Sequence, residues 1–509
     1  MRPHAAWPRD AASAWTWLAL VACLFTGGCM SLVRGTTRGY DLAPNGMTRA
    51  DDGFRRALVT GGYGRAFARA GSAKAGAPDD ALLRALYRGL TGFYAGEFEG
   101  TAAAFAAADA LAERRLTKSL SRTAASVVTS DGVLPYMPTR TEGLFLRYYA
   151  MHAYLRAGKL DDAVVEARRL GRQLEDVSSS LAPGERPLHA TMRDAAGAIF
   201  EAANERNDAL VSYRNAALLR GVDRRDVDTI SLHEPGADSA TLIVFVESGF
   251  VAHRVDRGLT IGLGGDRDSV RDTAVGGPST GDSIVPTADA TETLAARALR
   301  LLDAMPGGGV FTEDAIGWPL ERSGGYRVNR PMRIAEHARS FVRVAWPALS
   351  RAASPVGAVT LELDRSTGEP MQRLLDTGAD VSNALAEDFR RDRAGVLARS
   401  IARAVAKGAV AEALREKHGD WAGTLASFAG SALERADTRS WHLLPGSLSI
   451  VRLTLPAGTH ASRLKVGTDA EAMTITLPAT VLGPAETRVV STRIWRDGSA
   501  FSPPVAAGK

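Results

Sequence analysis

Cys29 is the residue whose chemistry is most readily identified from this sequence. A short basic leader with Arg2 and Arg9 precedes an apolar stretch from Ala14 to Phe25, and Thr26-Gly27-Gly28 then places small residues directly before the cysteine. A peptidase that cuts beside a diacylated thiol requires small residues there, because it must hold an extended backbone. We therefore expect export, cleavage before Cys29 and lipidation of its thiol. The alternative is an ordinary secretory signal in which the cysteine is incidental.

The lipid on Cys29 would be the attachment of the mature chain to a membrane. The apolar part of the signal is too short to span a bilayer, and the sequence has no later apolar run of about 18 residues or more. A triacylated cysteine carries enough hydrocarbon for stable anchoring. Met30 stands where an aspartate would mark retention at the inner membrane, so we expect the periplasmic face of the outer membrane.

Recognised catalytic motifs are absent from the sequence. It contains no HExxH, no G-x-S-x-G and no phosphate-binding loop, and its other cysteine, Cys23, lies within the signal. The histidines from His152 to His460 are scattered singly, without the spacing of metal ligands. We therefore predict a non-enzymatic protein with no catalytic residue, no metal and no cofactor. A hydrolase with a Ser-His-Asp triad assembled from distant segments is the enzymatic alternative.

Four residues towards the C-terminus are candidates for contact with a partner or ligand: Asp437, Arg439, Trp441 and Arg452. The first three lie in ADTRSWHLLP, a pattern typical of a helix end that leads into a strand. Asp437 and Arg439 could form a local ion pair. Trp441 could plug the junction between helical and β parts, where a tryptophan buries up to about 250 Å². Alternatively, an exposed Trp441 beside Arg439, His442 and Arg452 could stack on a sugar or peptide.

A stripe of basic residues is the other charged pattern of interest. Within VLARSIARAVAKGAVAEAL, Arg399, Arg403 and Lys407 recur every four residues and so share one face of a helix. The favoured interpretation is a solvated face beside a buried one. The alternative is contact with anionic lipid or an acidic partner.

The elements that position these residues fall into a helical part and a β-rich part. We assign residues 1–28 to the signal peptide, 29–50 to a polar tether, 51–232 to a helical domain and 233–509 to a mixed α+β domain with long loops at 256–330. In the helical domain, three segments resemble tetratricopeptide helix pairs with turns at Gly96, Gly158 and Asn204. The turns are unevenly spaced, which indicates a degenerate array. A generic helical bundle is the alternative.

The C-terminal domain contains several apolar runs typical of strands. LIVFVESGFVAHRV predicts two strands, FVRVAWP and GAVTLELD predict two more, and SLSIVRLTLPAG, SRLKV, AMTITLP and ETRVVSTRIW predict the rest. Their incomplete alternation indicates strands covered on both faces. Helices are predicted from about Asp376 to Ala436, with a break at Gly419-Asp420-Trp421, and one more at 290–304. The fold class is therefore α+β.

Composition excludes a nucleic-acid partner in our interpretation. Charged residues are 23% and apolar residues 45% of the chain, as in globular proteins. The net charge of +5 comes from dispersed arginines rather than from a basic patch.

Three segments resemble a family of bacterial envelope lipoproteins whose activity is unassigned. They are TKSLSRTAASVVTSDGVLPYMPTRTEGLFLRYYAMHAYLRAGKLDDAVVEARR, LIVFVESGFVAHRV and ADTRSWHLLPGSLSIVRLTLPAG. The resemblance implies a tetratricopeptide-type lipoprotein, of a kind discussed with surface secretion and cell-wall synthase activation, and it carries over no catalytic residue.

We therefore expect a lipid-anchored, periplasm-facing scaffold. Its partners would be the membrane, through the lipid, and an envelope protein, with peptidoglycan as an alternative ligand. A regulator or assembly factor for cell-wall synthesis or surface secretion is the alternative function.

Overall fold

The computed structural model describes residues 47–72, 78, 80–118, 134–232, 236, 238–263, 340–350, 359–364, 371–375, 378–432, 434–467, 473–495 and 500–501. Helices and strands are both abundant in them, so the α+β class is confirmed. The predicted signal, Cys29 and the predicted helix at 290–304 lie outside the described residues.

The described part of the chain begins with a helical half. Its helices are α1 (Arg49–Val59), α2 (Tyr63–Gly71), α3 (Ala81–Ala95), α4 (Phe98–Lys118), α5 (Arg140–Arg156), α6 (Leu160–Asp176), α7 (Arg186–Ala202), α8 (Arg206–Leu219) and α9 (Arg224–Thr229). Helices α3 and α4, α5 and α6, and α7 and α8 pack as pairs. Each pair turns at a residue with positive φ: Gly96 (79°), Gly158 (73°) and Asn204 (60°).

Close approach within the first and third pairs depends on a glycine. A Cβ at Gly89 would overlap the ring of Phe105, and one at Gly197 would lie 2.8 Å from the ring of Tyr213. The glycine and the aromatic residue are separated by the same number of positions in both pairs. In the middle pair the equivalent positions hold a large residue on the first helix, Met151, and a small one on the second, Ala167, and both are buried.

The strands in the described residues form three sheets. They are β1 (Ser239–Ser248), β2 (Arg254–Leu263), β3 (Ser340–Leu349), β4 (Val359–Leu363), β5 (Met371–Leu375), β6 (Ala379–Asp380), β7 (Ser447–Pro456), β8 (Gly458–Val466), β9 (Met473–Leu482), β10 (Thr487–Ile494) and β11 (Ala500–Phe501). The central sheet has the order β11-β10-β1-β7-β6, a second has β5-β4-β8-β9, and β2 pairs with β3.

Of the two strands predicted from LIVFVESGFVAHRV, the first forms as β1. Of the second, only Arg254 and Val255 lie in a strand, β2, which belongs to a different sheet. Residues 256–263 were expected in a long loop and instead belong to β2, because they pair along their length with β3. The remainder of the expected loop, residues 264–330, lies outside the described residues.

The central sheet is covered on both faces, as the sequence predicts. Leu242 and Val244 of β1 pack in one core with Leu361 and Leu464 of the second sheet. Ile243 and Phe245, which alternate with them, belong to the other core, which contains most of the buried apolar residues of the helical half. Successive strand residues therefore enter different cores.

The first helices of the three pairs lie against the central sheet. Helix α7 contacts β6, β7 and β10. Phe245 of β1 lies 5.9 Å from Tyr148 and 4.6 Å from His152 of α5, between ring centroids. Tyr94 of α3 lies 6.4 Å from the Trp495 ring just after β10. The inner face of the helical half is therefore filled by the protein's own sheet.

Two further helices form a projecting hairpin. Helix α10 (Val381–His418) has 38 residues and a length of about 57 Å, and α11 (Asp420–Ala432) follows it. The predicted break is confirmed at Gly419, whose φ is 88°. The start of α10 is held on the helical half, where Asp388 accepts a hydrogen bond from the Thr141 N–H at 2.8 Å. We call residues 399–418 of α10, together with α11, β2 and β3, the arm, because these elements pack on one another.

Candidate functional site

The candidate residues around Trp441 lie in the junction loop, residues 434–446, which connects α11 to β7. The backbone N–H of Ala436 donates to Asp256 of β2 (2.9 Å), and the N–H of Gly446 donates to the carbonyl of Ser248 at the end of β1 (2.8 Å). Between these points the loop passes between the helical half and the central sheet. It therefore touches the arm, the helices and the strands within a few residues.

Trp441 is 1% exposed and is a packing residue. Its ring lies 5.9 Å from the Phe105 ring and 6.1 Å from the Tyr149 ring, and its backbone N–H donates to Oε1 of Glu142 at 2.6 Å. Of the two sequence interpretations, the plug between helical and β parts is confirmed. The exposed stacking surface is wrong, because Phe105 of α4 and Tyr149 of α5 pack against the buried indole ring.

Glu142 holds the loop and the start of α5 together. One oxygen accepts from the Trp441 N–H, and the other accepts from the N–H of Thr139 at 2.8 Å, while the Thr139 hydroxyl accepts from the Glu142 N–H. This reciprocal capping box places a carboxylate in the first turn, where the helix dipole favours negative charge.

Asp437 and Arg439 form the predicted local ion pair. The guanidinium contacts both carboxylate oxygens, at 2.8 and 2.7 Å, and donates to the carbonyl of Leu134 at 2.7 Å. Burial alone would lower the pKa of Arg439, but the adjacent Asp437 and the nearby Asp80 outweigh it and raise that pKa above its usual value. The pair fastens the loop to the segment before α5.

Arg452 makes a separate connection. It forms a two-pronged ion pair with Glu201 of α7, at 2.9 and 2.6 Å, and Tyr213 of α8 donates to the same carboxylate at 2.9 Å. Arg452 stands opposite Ile243 in the middle of β1, whereas the junction loop ends before Ser447, the first residue of β7. The four candidate residues therefore do not form one ligand site, and each of them stabilises the contact between the two halves.

A buried polar cluster that the sequence reasoning missed lies beside the loop. Glu247 of β1 accepts hydrogen bonds from the hydroxyls of Tyr94 (2.5 Å) and Tyr149 (2.9 Å). Arg493, its register partner on β10, donates to the Tyr94 hydroxyl at 3.1 Å and to the carbonyl of Leu443 at 2.9 Å. The sequence did contain a signal for this cluster: a glutamate stands in the otherwise apolar run LIVFVES, and an arginine stands in the partner strand.

The two charges of this cluster sit in a low-dielectric interior. Burial raises the pKa of Glu247, and Arg493 and the tyrosine hydroxyls offset part of that increase. Burial would lower the pKa of Arg493, but Tyr94, Tyr149 and Glu247 outweigh it and raise that pKa. The guanidinium also lies 4.5 Å from the centre of the Trp495 ring. This arrangement can orient the helices on the sheet by charge-assisted hydrogen bonds.

A serine, a histidine and an aspartate do meet under α1. Ser440 Oγ lies 3.1 Å from Nδ1 of His442, and Nε2 of His442 lies 3.8 Å from a carboxylate oxygen of Asp51. Ser440 and His442 are buried, and Arg55 of α1 donates to the His442 carbonyl at 2.8 Å. Burial, followed by the charge of Arg55, lowers the pKa of His442 well below 6.5. A base so weak and so enclosed is poorly suited to activate a serine at neutral pH.

The basic stripe is rearranged by a residue from the junction loop. Arg403 is fully buried at 0% exposure, where Nε lies 3.1 Å from Glu434 and Nη2 donates to Ser400 at 3.1 Å. Lys407 forms an ion pair with the same Glu434. The expectation of a solvated basic face is therefore wrong for Arg403, and so is contact of Arg403 with lipid. Glu434 makes the difference, because it brings a carboxylate into the core of the arm.

No family model matches this chain, and no match is found among curated proteins or solved structures. Among the described residues, no group of three or more His, Cys, Asp or Glu side chains could hold a metal ion. No helix in the described part of the chain is both long and apolar enough to cross a bilayer.

Proposed function

We propose that this protein is a non-enzymatic scaffold of the bacterial envelope, anchored by a lipid on Cys29 and facing the periplasm from the outer membrane. The sequence before Cys29 supports the anchor, as does the resemblance to envelope lipoproteins. The polar residues that could have served a reaction are engaged instead in joining the helical half to the central sheet, as for Glu142, Glu247 and Arg493.

A tetratricopeptide-like origin of the helical half is part of this proposal. Paired helices, a positive-φ residue at each turn and the repeated glycine–aromatic contact at equal separation support it. Arrays of this type usually offer their concave surface to a partner. Here the sheet occupies the inner face, so we place the partner on the outer helices α4, α6 and α8 instead.

The observation that carries the proposal is the exposure of apolar side chains along those three outer helices. They are Leu116 of α4, Val165 of α6, and Val211 and Leu218 of α8. Single exposed apolar residues are ordinary on protein surfaces. Here, however, exposed apolar residues occur on the second helix of all three consecutive pairs, and these helices are supported by a packed core. A partner-binding surface requires this arrangement.

In-cell photo-crosslinking tests the proposal. A photoreactive residue placed at Val165 or Val211 should yield a specific envelope protein when Cys29 is intact and much less of it in the Cys29→Ala form. The matched control is the same residue at Leu374, an exposed apolar position on β5. A cell-wall synthase or a secretion component among the adducts would favour the regulator or assembly factor. Absence of adducts from both outer positions would contradict the scaffold.

A further inference from the structure

Arg156 of α5 is a buried arginine without a carboxylate partner among the described residues. Of the arginines whose side chains the structure describes, three are buried. Arg403 forms its ion pair with Glu434, and Arg493 is next to Glu247. Arg156 makes one hydrogen bond, in which Nη2 donates to the Ser491 hydroxyl at 3.4 Å, and its Nε has no partner. The guanidinium therefore has most of its donors unused.

His152 lies one turn before Arg156, on the same face of α5. Its ring lies 4.6 Å from the Phe245 ring, between centroids, and Phe245 is the register partner of Ser491. Both side chains of α5 therefore face the same point of the central sheet. Neither ring nitrogen of His152 has a hydrogen-bond partner in the described part of the chain. Two side chains with unused donors thus lie together between α5 and the sheet.

The charges around Arg156 do not compensate for its burial. Burial is the main cause that lowers the pKa of Arg156 to about 10, Tyr148 acts in the opposite direction, and the nearby Arg488 lowers the pKa further. Arg488 has its own carboxylate, Glu486, at 2.7 Å. At neutral pH the guanidinium is still protonated, because its pKa remains well above 7. Since charged groups are rarely buried without a partner, a counter-charge is needed here.

The guanidinium lies close to the protein surface. Arg156 is in the last turn of α5, and Gly158 in the turn that follows is exposed. Arg156 is 6% exposed, against 0% for Arg403 and Arg493. The side chain of the neighbouring Arg488 is 33% exposed. A small group can therefore reach Arg156 from the end of α5 without entering the core.

We propose that Arg156 binds a carboxylate group at the end of α5, with the Ser491 hydroxyl and a ring N–H of His152 as further donors. A planar guanidinium donates two parallel hydrogen bonds to the two oxygens of a carboxylate. One uncompensated positive charge matches this group, whereas a phosphate would bring nearly two negative charges. The carboxylate belongs to a small organic acid or to the end of a peptide. The site does not involve the outer helices proposed to bind a partner.

Calorimetry on the purified full chain tests this proposal. The probes are acetate, N-acetylglycine and the uncharged N-acetylglycine amide, at constant ionic strength. Both carboxylates should bind the parent chain, and the amide should not. Arg156→Met keeps a long side chain without the charge and should lower the association constant at least about tenfold. Tighter binding of N-acetylglycine than of acetate would identify a peptide end, and equal binding would identify a small acid.

Two further variants sharpen the measurement. Arg172→Met is the matched control, because it removes the same charge from an exposed position on α6 and should leave binding unchanged. Ser491→Ala removes one neutral donor and should weaken binding less than Arg156→Met does. Binding that is lost equally in the control would show a general effect of net charge and would overturn the proposal.

Thermal unfolding separates a binding role of Arg156 from a structural one. Without ligand, Arg156→Met should unfold at the temperature of the parent chain or above it, because an apolar side chain replaces a buried unpaired charge. Acetate should raise the unfolding temperature of the parent alone. A fall of more than about 5 °C in ligand-free Arg156→Met would mean that the chain itself already supplies the carboxylate, which contradicts the proposal.

Two calorimetric results would also overturn the proposal. One is absence of carboxylate binding by the parent chain, and the other is equal binding by the parent and Arg156→Met. Because these experiments use neither Cys29 nor the outer helices, their failure leaves the crosslinking result intact, and the reverse also holds.

Discussion

The junction loop and the arm differ in which side chains they bury: charged side chains are buried around the loop, whereas large apolar side chains are exposed on the arm. In the loop and its surroundings, Glu142 and Arg493 are buried with hydrogen-bond partners from distant parts of the chain. In the arm, Trp421 and Leu425 are exposed although the helix beneath them is already packed. The difference shows that residue type alone does not mark a contact surface. Trp441, the tryptophan first considered for ligand contact, is structural, and Trp421 is the accessible one.

Substitution of the two tryptophans should give the largest difference in the free energy of unfolding. Trp441→Ala removes a fully buried ring and should lower the free energy of unfolding by about 5 kcal/mol. Trp421→Ala should change it by less than about 0.5 kcal/mol, because the side chain is mostly in solvent. Urea unfolding measures both. Similar losses for the two variants would mean that the arm is covered within the protein.

Removing a buried charge should give the next largest loss of stability. Arg493→Ala leaves Glu247 without its nearby positive charge and removes a donor from the Leu443 carbonyl, so we expect a loss of about 4 kcal/mol. The control on the same strand is Arg488→Ala, which breaks a partly exposed pair with Glu486 and should lose less than about 1 kcal/mol. Equal losses would show that the cluster does not hold the two halves together.

Mild acid should weaken the core of the helical half and the junction, but not the arm. Burial is the main cause that lowers the pKa of His152 to about 3, of His189 to about 4 and of His442 well below 6.5. Below about pH 6.5 the unfolded chain binds protons that the folded chain does not, so stability present above that pH is lost as the pH falls. Each histidine contributes about 1.4 kcal/mol between pH 7.5 and 5.5.

The raised pKa of carboxyls such as Glu247 offsets part of this loss. We expect a net decrease of about 3 kcal/mol in the free energy of unfolding over that interval. His152→Phe should remove about half of this net slope, because each histidine contributes about 1.4 kcal/mol and neither ring nitrogen of His152 has a hydrogen-bond partner among the described residues. A slope unchanged in that variant would contradict the assignment.

The smallest effect concerns the helix pairs. Gly197→Ala places a methyl group 2.8 Å from the Tyr213 ring and should lower stability by about 2 kcal/mol. Gly171→Ala meets nothing within 4 Å and lies within α6, so it should stabilise by about 0.5–1 kcal/mol. Thermal unfolding of the two variants should shift in opposite directions. Shifts of the same sign would show that the glycine of the third pair is dispensable.

The elements of the fold were largely predictable from local patterns. Short stretches of sequence were enough to predict three kinds of element. These are the strands in the C-terminal tail, the break at Gly419 and the turns at Gly96, Gly158 and Asn204. The sheet order was not predictable, because β1 pairs with β7 and β10, both more than about 190 residues later along the chain. The hydrophobic periodicity of a strand shows that one of its faces is covered, but it does not show which element covers that face.

The candidate site was predicted less well for the same reason. The Asp437–Arg439 pair is local, and it was anticipated. Trp441 is buried because Phe105 and Tyr149, from other segments of the chain, pack against it. Arg403 is not solvated because Glu434, also from another segment, forms an ion pair with it. Long-range contacts therefore decided both outcomes.

The large separation in sequence between the first helix and β10 has a consequence for biogenesis. Phe250 is held between two arginines, Arg55 from the first helix and Arg493 from β10, at 4.7 and 4.9 Å from the ring centre. The inner face of the helices thus stays uncovered until strands that are synthesised long after them become available. If the chain is exported as proposed, we expect it to need a periplasmic chaperone during this interval. A premature stop before Thr487 should give an aggregating product rather than a shorter working one.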